Sequence, residues 1–150
     1  MRLVIQRVKN ASVSVDGKLK SAISEGLMIL LGIEQDDDAT DIEWLVKKLT
    51  GLRIFDDEKG MMNRSVQDIQ GAFLVISQFT LHARTKKGNR PSYVDAAGPD
   101  VAIPLYKDFV RMLREASGLE VATGEFGANM QVSLVNDGPV TIIIDSKRRE

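Results

Sequence analysis

The stretch "LMILLGI", residues 27–33, is apolar without a break, bounded by Gly26 on one side and by the acidic run Asp36 to Asp38 on the other. Seven such residues between turn signals read as a strand buried on both faces. That reading requires further layers above and below it, and the flanking segments supply them. Upstream, "RLVIQRVK" (2–9) is rich in β-branched residues. "ASVSVDGKLKSAI" (11–23) places Asp16-Gly17 between two alternating runs, which predicts a hairpin because Asp-Gly tolerates the positive φ of a tight primed turn. Downstream, Ile42, Leu45, Val46 and Leu49 follow the i, i+3, i+4, i+7 spacing of one helical face. Asp38 or Thr40 can cap the first turn and Gly51 can close the last.

The rest of the chain continues this alternation of elements. "GLRIF" (51–55) returns to strand character before the turn "DDEKG", and "AFLVISQF" (72–79) is a second buried strand. After a loop over 82–100, Val101, Leu105, Phe109, Met112, Leu113 and Ala116 predict a second helix, with Pro104 in its first turn and Gly118 at its end. Residues 119–145 read as strand broken at Gly124, Gly127 and Asn136 to Pro139, and "KRRE" as a solvated tail. No repeat, low-complexity segment or linker interrupts residues 1–150. The expectation is one α/β domain, sheet-dominated, with mostly antiparallel or mixed pairing and two helices.

Composition narrows the function. The chain has 150 residues, 43% hydrophobic and 27% charged, enough to bury a core. A formal charge of −1 lacks the basic excess of a protein that coats duplex DNA, so any nucleic-acid contact must be local. There is no cysteine and a single histidine, His82, which removes thiolate chemistry and the usual zinc ligand sets. The first residues carry too short and too charged an apolar run for a signal peptide, and no segment approaches the roughly 18 apolar residues of a membrane span. A cytoplasmic protein is the simplest expectation.

Two segments interrupt apolar strands with polar residues: "SQFTL" (77–81) and "NDGPVT" (136–141). Together, in this order, they resemble the D-aminoacyl-tRNA deacylase family, once called D-tyrosyl-tRNA deacylases. The likeness runs from "IQRV" (5–8) through "GMMNRSV" (60–66) and "RPS" (90–92) to "MQVSLVNDGPVT" (130–141). The resemblance implies a barrel-like sheet assembly flanked by two helices, acting as a homodimer with active sites at the subunit boundary. It implies that Ser77, Gln78 and Thr80 serve catalysis, that Phe79 helps to line the substrate pocket, and that Gly138-Pro139 is a Gly-cisPro element reaching into the partner's pocket. It implies no cofactor and no metal. It implies as partner the acceptor 3′ end of an aminoacyl-tRNA, and neither DNA nor a membrane.

These residue types suit the implied reaction. An ester between an amino acid and the terminal ribose is already activated, so positioning and oxyanion stabilisation suffice, from backbone N–H groups near Gln78 to Thr80 or from the Thr80 hydroxyl. Thr80 has no evident base, which favours attack by water, aided by the ribose 2′-hydroxyl, over an acyl-enzyme. Selectivity is steric: proline lowers the cost of a cis step to about 0.5–1 kcal/mol, glycine removes the Cβ before it, and the rigid wall rejects L side chains. Glycyl-tRNA should pass such a filter. The competing readings are an editor of glycyl or small L-aminoacyl-tRNA and a non-catalytic dimeric module that binds RNA ends.

Several residues carry two readings each. His82 is a catalytic partner of Thr80 or, the preferred expectation, a surface or loop histidine. Arg84, Lys86, Lys87 and Arg90 either contact acceptor phosphates or form a solvated loop. Arg7 either pins the Gly-Pro element through its guanidinium or is a plain surface residue. Met61 and Met62 are expected to pack, and Lys147, Arg148 and Arg149 to be a solubilising end.

Overall fold

The longest pairings in the molecule belong to its first strand. β1 (Arg2–Val15) buries Leu3, Ile5, Val8, Ala11 and Val13, and it turns through Asp16 (φ 51°) and Gly17 (φ 73°) into β2 (Lys18–Ile23). Positive φ at both central residues is the primed turn that the Asp-Gly pair predicts. One edge of β1 pairs antiparallel with β2 over residues 11–15 and with β3 (Gly26–Gly32) over residues 2–8; the other edge pairs with β8 (Met130–Asp145) from end to end. The chain is described as a computed structural model covering residues 1–149. Among these described residues there are eight strands and two helices, α1 (Ala39–Gly51) and α2 (Pro99–Ser117).

Beyond β3 the sheet turns parallel. β6 (Ala72–Ser77) lies beside β3 and β7 (Val121–Thr123) beside β6, giving the order β2-β1-β3-β6-β7. The Ser21 hydroxyl of β2 donates to the Thr123 carbonyl of β7 at 2.7 Å, so the sheet curls until its far strands nearly meet. This is the mixed sheet with two helices that the pattern predicts, closed into the barrel-like assembly that the resemblance implies.

Two-sided burial of β3 and β6 is visible residue by residue. Leu27, Ile29 and Leu31 with Phe73 and Val75 face the helices, whereas Met28, Leu74 and Ile76 face the barrel interior with Val8, Val13 and Ile23. Each fully buried side chain of this size contributes about 1.5–3 kcal/mol. α1 contributes Ile42, Leu45, Val46 and Leu49, the face read from the sequence. Its start is a capping box: Asp38 accepts from the Thr40 N–H at 2.8 Å, and Asp41 accepts from the Asp38 N–H at 3.0 Å.

Five expectations need correction. α2 begins at Pro99, so Pro99 takes the first helical position and Pro104 falls in the second turn, exposed. The amide that Pro104 lacks would have bonded the carbonyl of the exposed Asp100, where water can replace it. The buried stripe of α2 is Ala102, Tyr106, Phe109, Val110 and Leu113, rotated from the predicted one because a buried tyrosine satisfies itself: its hydroxyl donates to the Val75 carbonyl at 2.7 Å. "GLRIF" forms only the two-residue strand β4 (Phe55–Asp56), paired with β5 (Met62–Arg64) in a separate ribbon. Met61 and Met62 are exposed on that ribbon instead of packed. "VISQF" leaves the sheet at Ser77.

The basic end is also not a free tail. Lys147 Nζ lies 2.8 Å from Asp41 Oδ2, and the Arg149 guanidinium sits 4.7 Å from the centre of the Trp44 ring. Burial alone would raise the Asp41 carboxyl, but hydrogen bonds from Lys147, Ser146 and the Asp38 amide hold it down at about 2. The buried Met1 ammonium donates to Asp37 and to the Ser146 hydroxyl, joining the start of β1 to the same cluster.

Candidate functional site

Gly32 decides where the first polar motif goes. β3 ends there, and a Cβ at this position would meet His82 Nε2 at 2.9 Å and Leu81 Cβ at 3.0 Å, so only glycine lets the following chain fold back against it. The Gln78 N–H donates to the Leu31 carbonyl at 2.8 Å as a last sheet contact. Residues Phe79–His82 then form a single 3₁₀ turn, with the Ala83 N–H donating to the Thr80 carbonyl at 3.1 Å. Thr80 and His82 therefore do not share a strand face.

This turn borders a cavity of about 300 Å³. Ser77 and Gln78 supply polar groups to its lining, beside Phe79, Leu31, Ala97, Phe126 and Met130; Thr80 is not among the lining residues. The Gln78 side-chain amide donates to Thr80 Oγ1. A threonine hydroxyl that accepts in this way keeps its own proton to donate. Among the described residues no carboxylate or imidazole hydrogen-bonds Thr80. Tyr106, whose ring meets that of the cavity-lining Phe126 edge to face, has its phenol pushed up to about 12 by burial, so it supplies no base either.

His82 is not at the surface. It is 3% exposed, its Nδ1 lies 3.2 Å from Glu34 Oε1 without hydrogen-bond alignment, and it does not line the cavity. Arg84 is engaged: its guanidinium forks onto Asp95, with Nη2 at 2.6 Å, and its backbone pairs with Ser92 in both directions. Lys86, Lys87 and Arg90 remain as exposed cations at the loop tip.

The second motif lies elsewhere on the chain. Gln6 pairs with Thr141 and Val8 with Asn136, so the four residues 137–140 stand opposite Arg7 alone and bulge from the sheet. The Gly138-Pro139 peptide is cis, and both residues are exposed. Arg7, 7% exposed, donates from Nε to the Asp137 carbonyl at 3.0 Å and from Nη1 to the Ile54 carbonyl at 2.7 Å. The carboxylates of Asp56 and Asp137 lie 3.4 and 3.5 Å away. Arg7 is thus a buried clamp on the bulge, not a plain surface residue.

Gln6 is a residue that the sequence reading passed over. Its Oε1 accepts from Asn136 Nδ2 at 3.0 Å and from Thr141 Oγ1, the first and last residues of "NDGPVT", so one side chain ties both ends of the bulge. The signal was present in "IQRV", where a polar residue interrupts an apolar strand directly beside Arg7. The structure does not bring the two motifs together within one chain. Leu3, which pairs with Leu31 near the cavity, is four residues from Arg7, about 13 Å along β1.

The sequence model of the D-Tyr-tRNA(Tyr) deacylase family matches residues 4–145. A D-aminoacyl-tRNA deacylase from Bacteroides fragilis (strain YCH46) is 63% identical over 150 residues, covering 100% of both chains. Among solved structures, a c-Myc DNA Unwinding Element Binding Protein matches with a TM-score of 0.91 at 42% identity, over 97% of this chain and 98% of that one. The structure of a probable eukaryotic D-amino acid tRNA deacylase matches at 0.81 and 20% identity, over 95% and 97%, and shares the fold. Since the match takes in the turn at Gln78, the bulge at Gly138 and all but the ends of the barrel, this chain belongs to the D-Tyr-tRNA(Tyr) deacylase family.

Proposed function

We propose that this protein hydrolyses the ester joining a D-amino acid to the 3′ end of a tRNA, releasing the free D-amino acid and so proofreading chirality in the cytoplasm. The observation that carries the reading is the rim of the cavity: hydrogen-bond donors, with no nucleophile-base pair, at the edge of an apolar pocket. Such a site stabilises charge that develops on an ester oxygen and leaves attack to water. The full-length likeness to a named D-aminoacyl-tRNA deacylase supports the same substrate.

In this reading Ser77 and Gln78, which line the cavity, orient the ester and Phe79 shelters it; the Thr80 hydroxyl, tied to Gln78 on the adjoining turn, and the backbone N–H groups beside it hold the oxyanion. No metal or cofactor takes part. Gly138 and Pro139 act on a second copy: they are exposed, about 13 Å along β1 from their own chain's cavity, and clamped by Arg7 and Gln6 in one position. β8 suits such a dimer, because among the described residues no strand other than β1 pairs with it and its Val135 and Ile143 are exposed. The donated segment crowds the space an L side chain needs and leaves room for a D side chain or for glycine.

Protein treated with EDTA should release D-tyrosine from D-tyrosyl-tRNA and spare L-tyrosyl-tRNA, followed by acid-precipitable counts. Equal hydrolysis of both would remove the chiral reading. Preference for glycyl or small L-aminoacyl-tRNA would replace it with the editing alternative, and binding without any release would leave an RNA-end-binding module.

A further inference from the structure

We infer that Phe79 and Tyr93, with the exposed cations of the 86–90 loop, form a platform for the unpaired nucleotides that precede the terminal aminoacylated nucleoside. The inference rests on the reading of the cavity as an aminoacyl-ester site. Phe79 lines the cavity rim yet is 56% exposed, and its ring meets that of Tyr93 edge to face, with centroids 5.1 Å apart. Tyr93 is 39% exposed and is followed by Val94, more exposed still. An apolar surface leading outward from a pocket mouth calls for an occupant, and the charge beside it says which kind.

Lys86, Lys87 and Arg90 are exposed with no acidic residue between them, although the chain as a whole is slightly acidic. Asp95, the nearest acid in sequence, is neutralised by the Arg84 fork, and that ion pair together with the Arg84–Ser92 backbone bridge fixes the base of the loop against Tyr93. Aromatic faces beside a cluster of free cations are what single-stranded nucleic acid needs, since bases stack on the rings and phosphates meet the lysines. The same arrangement suits a second protein less well, because three unpaired cations would require a matching acidic surface.

The test compares charged tRNA with D-tyrosyl-adenosine, which has the ester and terminal nucleoside but none of the preceding nucleotides. Tyr93→Ala should raise KM for D-tyrosyl-tRNA by roughly tenfold. It should leave kcat, and both constants on D-tyrosyl-adenosine, unchanged, and Tyr93→Phe should restore the tRNA value. Lys86→Ala with Lys87→Ala should flatten the salt dependence of KM for tRNA, by about 0.7 in logarithmic slope for each phosphate that a lysine no longer neutralises. Equal losses on both substrates, or none on either, would overturn the platform. A wild-type protein inactive on both substrates would overturn the esterase reading instead. In that event fluorescence anisotropy with a single-stranded CCA oligonucleotide still decides the platform: weaker binding by Tyr93→Ala upholds it and equal binding overturns it.

Discussion

Thr80 and Gln78 hold opposite ends of one hydrogen bond, and its direction sets what each can do. Because the amide donates, the hydroxyl keeps its own proton to donate. Thr80→Ala should slow single-turnover release of D-tyrosine by up to about 10²-fold, the lower end for loss of one oxyanion donor, because backbone amides remain. Thr80→Ser should recover most of it. An acyl-threonine trapped by acid quench would instead show covalent catalysis. At Arg7 the expected effect is on the bulge. Arg7→Ala leaves the Asp137 and Ile54 carbonyls without their donor and the Asp56 carboxylate without its cation, while Lys9 still faces the Asp137 carboxylate, and should cost about 2–3 kcal/mol in urea denaturation. Arg7→Lys should not rescue it, since a single ammonium cannot span the Asp137 and Ile54 carbonyls in a planar fork. The sequence alone showed which polar residues interrupt the strands, but not that His82 turns inward or that Gln6 joins Asn136 to Thr141. Those depend on contacts across 48 and 130 positions, which local pattern does not encode.

At the scale of elements, periodicity recovered the strands and helices that bury whole faces and failed where an element is held by one contact. α1 was legible down to its cap because Asp38 and the Ile42 to Leu49 stripe are local. The motif "SQFTL" was read as strand because its residues suit one; it turns because β3 stops at Gly32 and leaves no ladder beyond Ser77. Gly32→Ala tests that dependence. Its Cβ would press on His82 and Leu81, so the substitution should cost about 1–3 kcal/mol in thermal melting and shift the turn away from the cavity. Activity should then fall even at temperatures where the protein stays folded. Unchanged activity in a folded variant would mean that the turn is positioned from the Tyr93 side.

For the whole molecule, the mixed topology was legible in kind but not in order. Turn lengths do not reveal that β3, β6 and β7 run parallel or that β1 carries neighbours on both edges. Nor did the pattern reveal the polar cluster in which Asp37 and Asp41 receive Met1 and Lys147. That cluster predicts an acid limit. The Asp41 carboxyl is held at about 2, below its value in the unfolded chain, so its contribution is complete above about pH 4 and lost as pH falls through 2. Lys147 is partly exposed, and solvent screening limits the contribution to about 1 kcal/mol. Lys147→Ala should therefore lower stability at pH 7 by about that amount and lessen the decline between pH 4 and 2, measured by urea midpoints across pH. A parallel decline in both proteins would assign the acid limit to other carboxylates.

The pairing of β1 with β8 also bears on synthesis. The ribosome makes one of these partners first and the other after every other strand, so some 14 residues of hydrogen-bonding edge wait for their mate while the intervening chain emerges. Until β8 arrives, the nascent protein has an open flank that invites clumping and lacks the segment that carries Gly138 and Pro139. A stalled or prematurely terminated product would therefore be sticky, a natural target for proteolytic clearance.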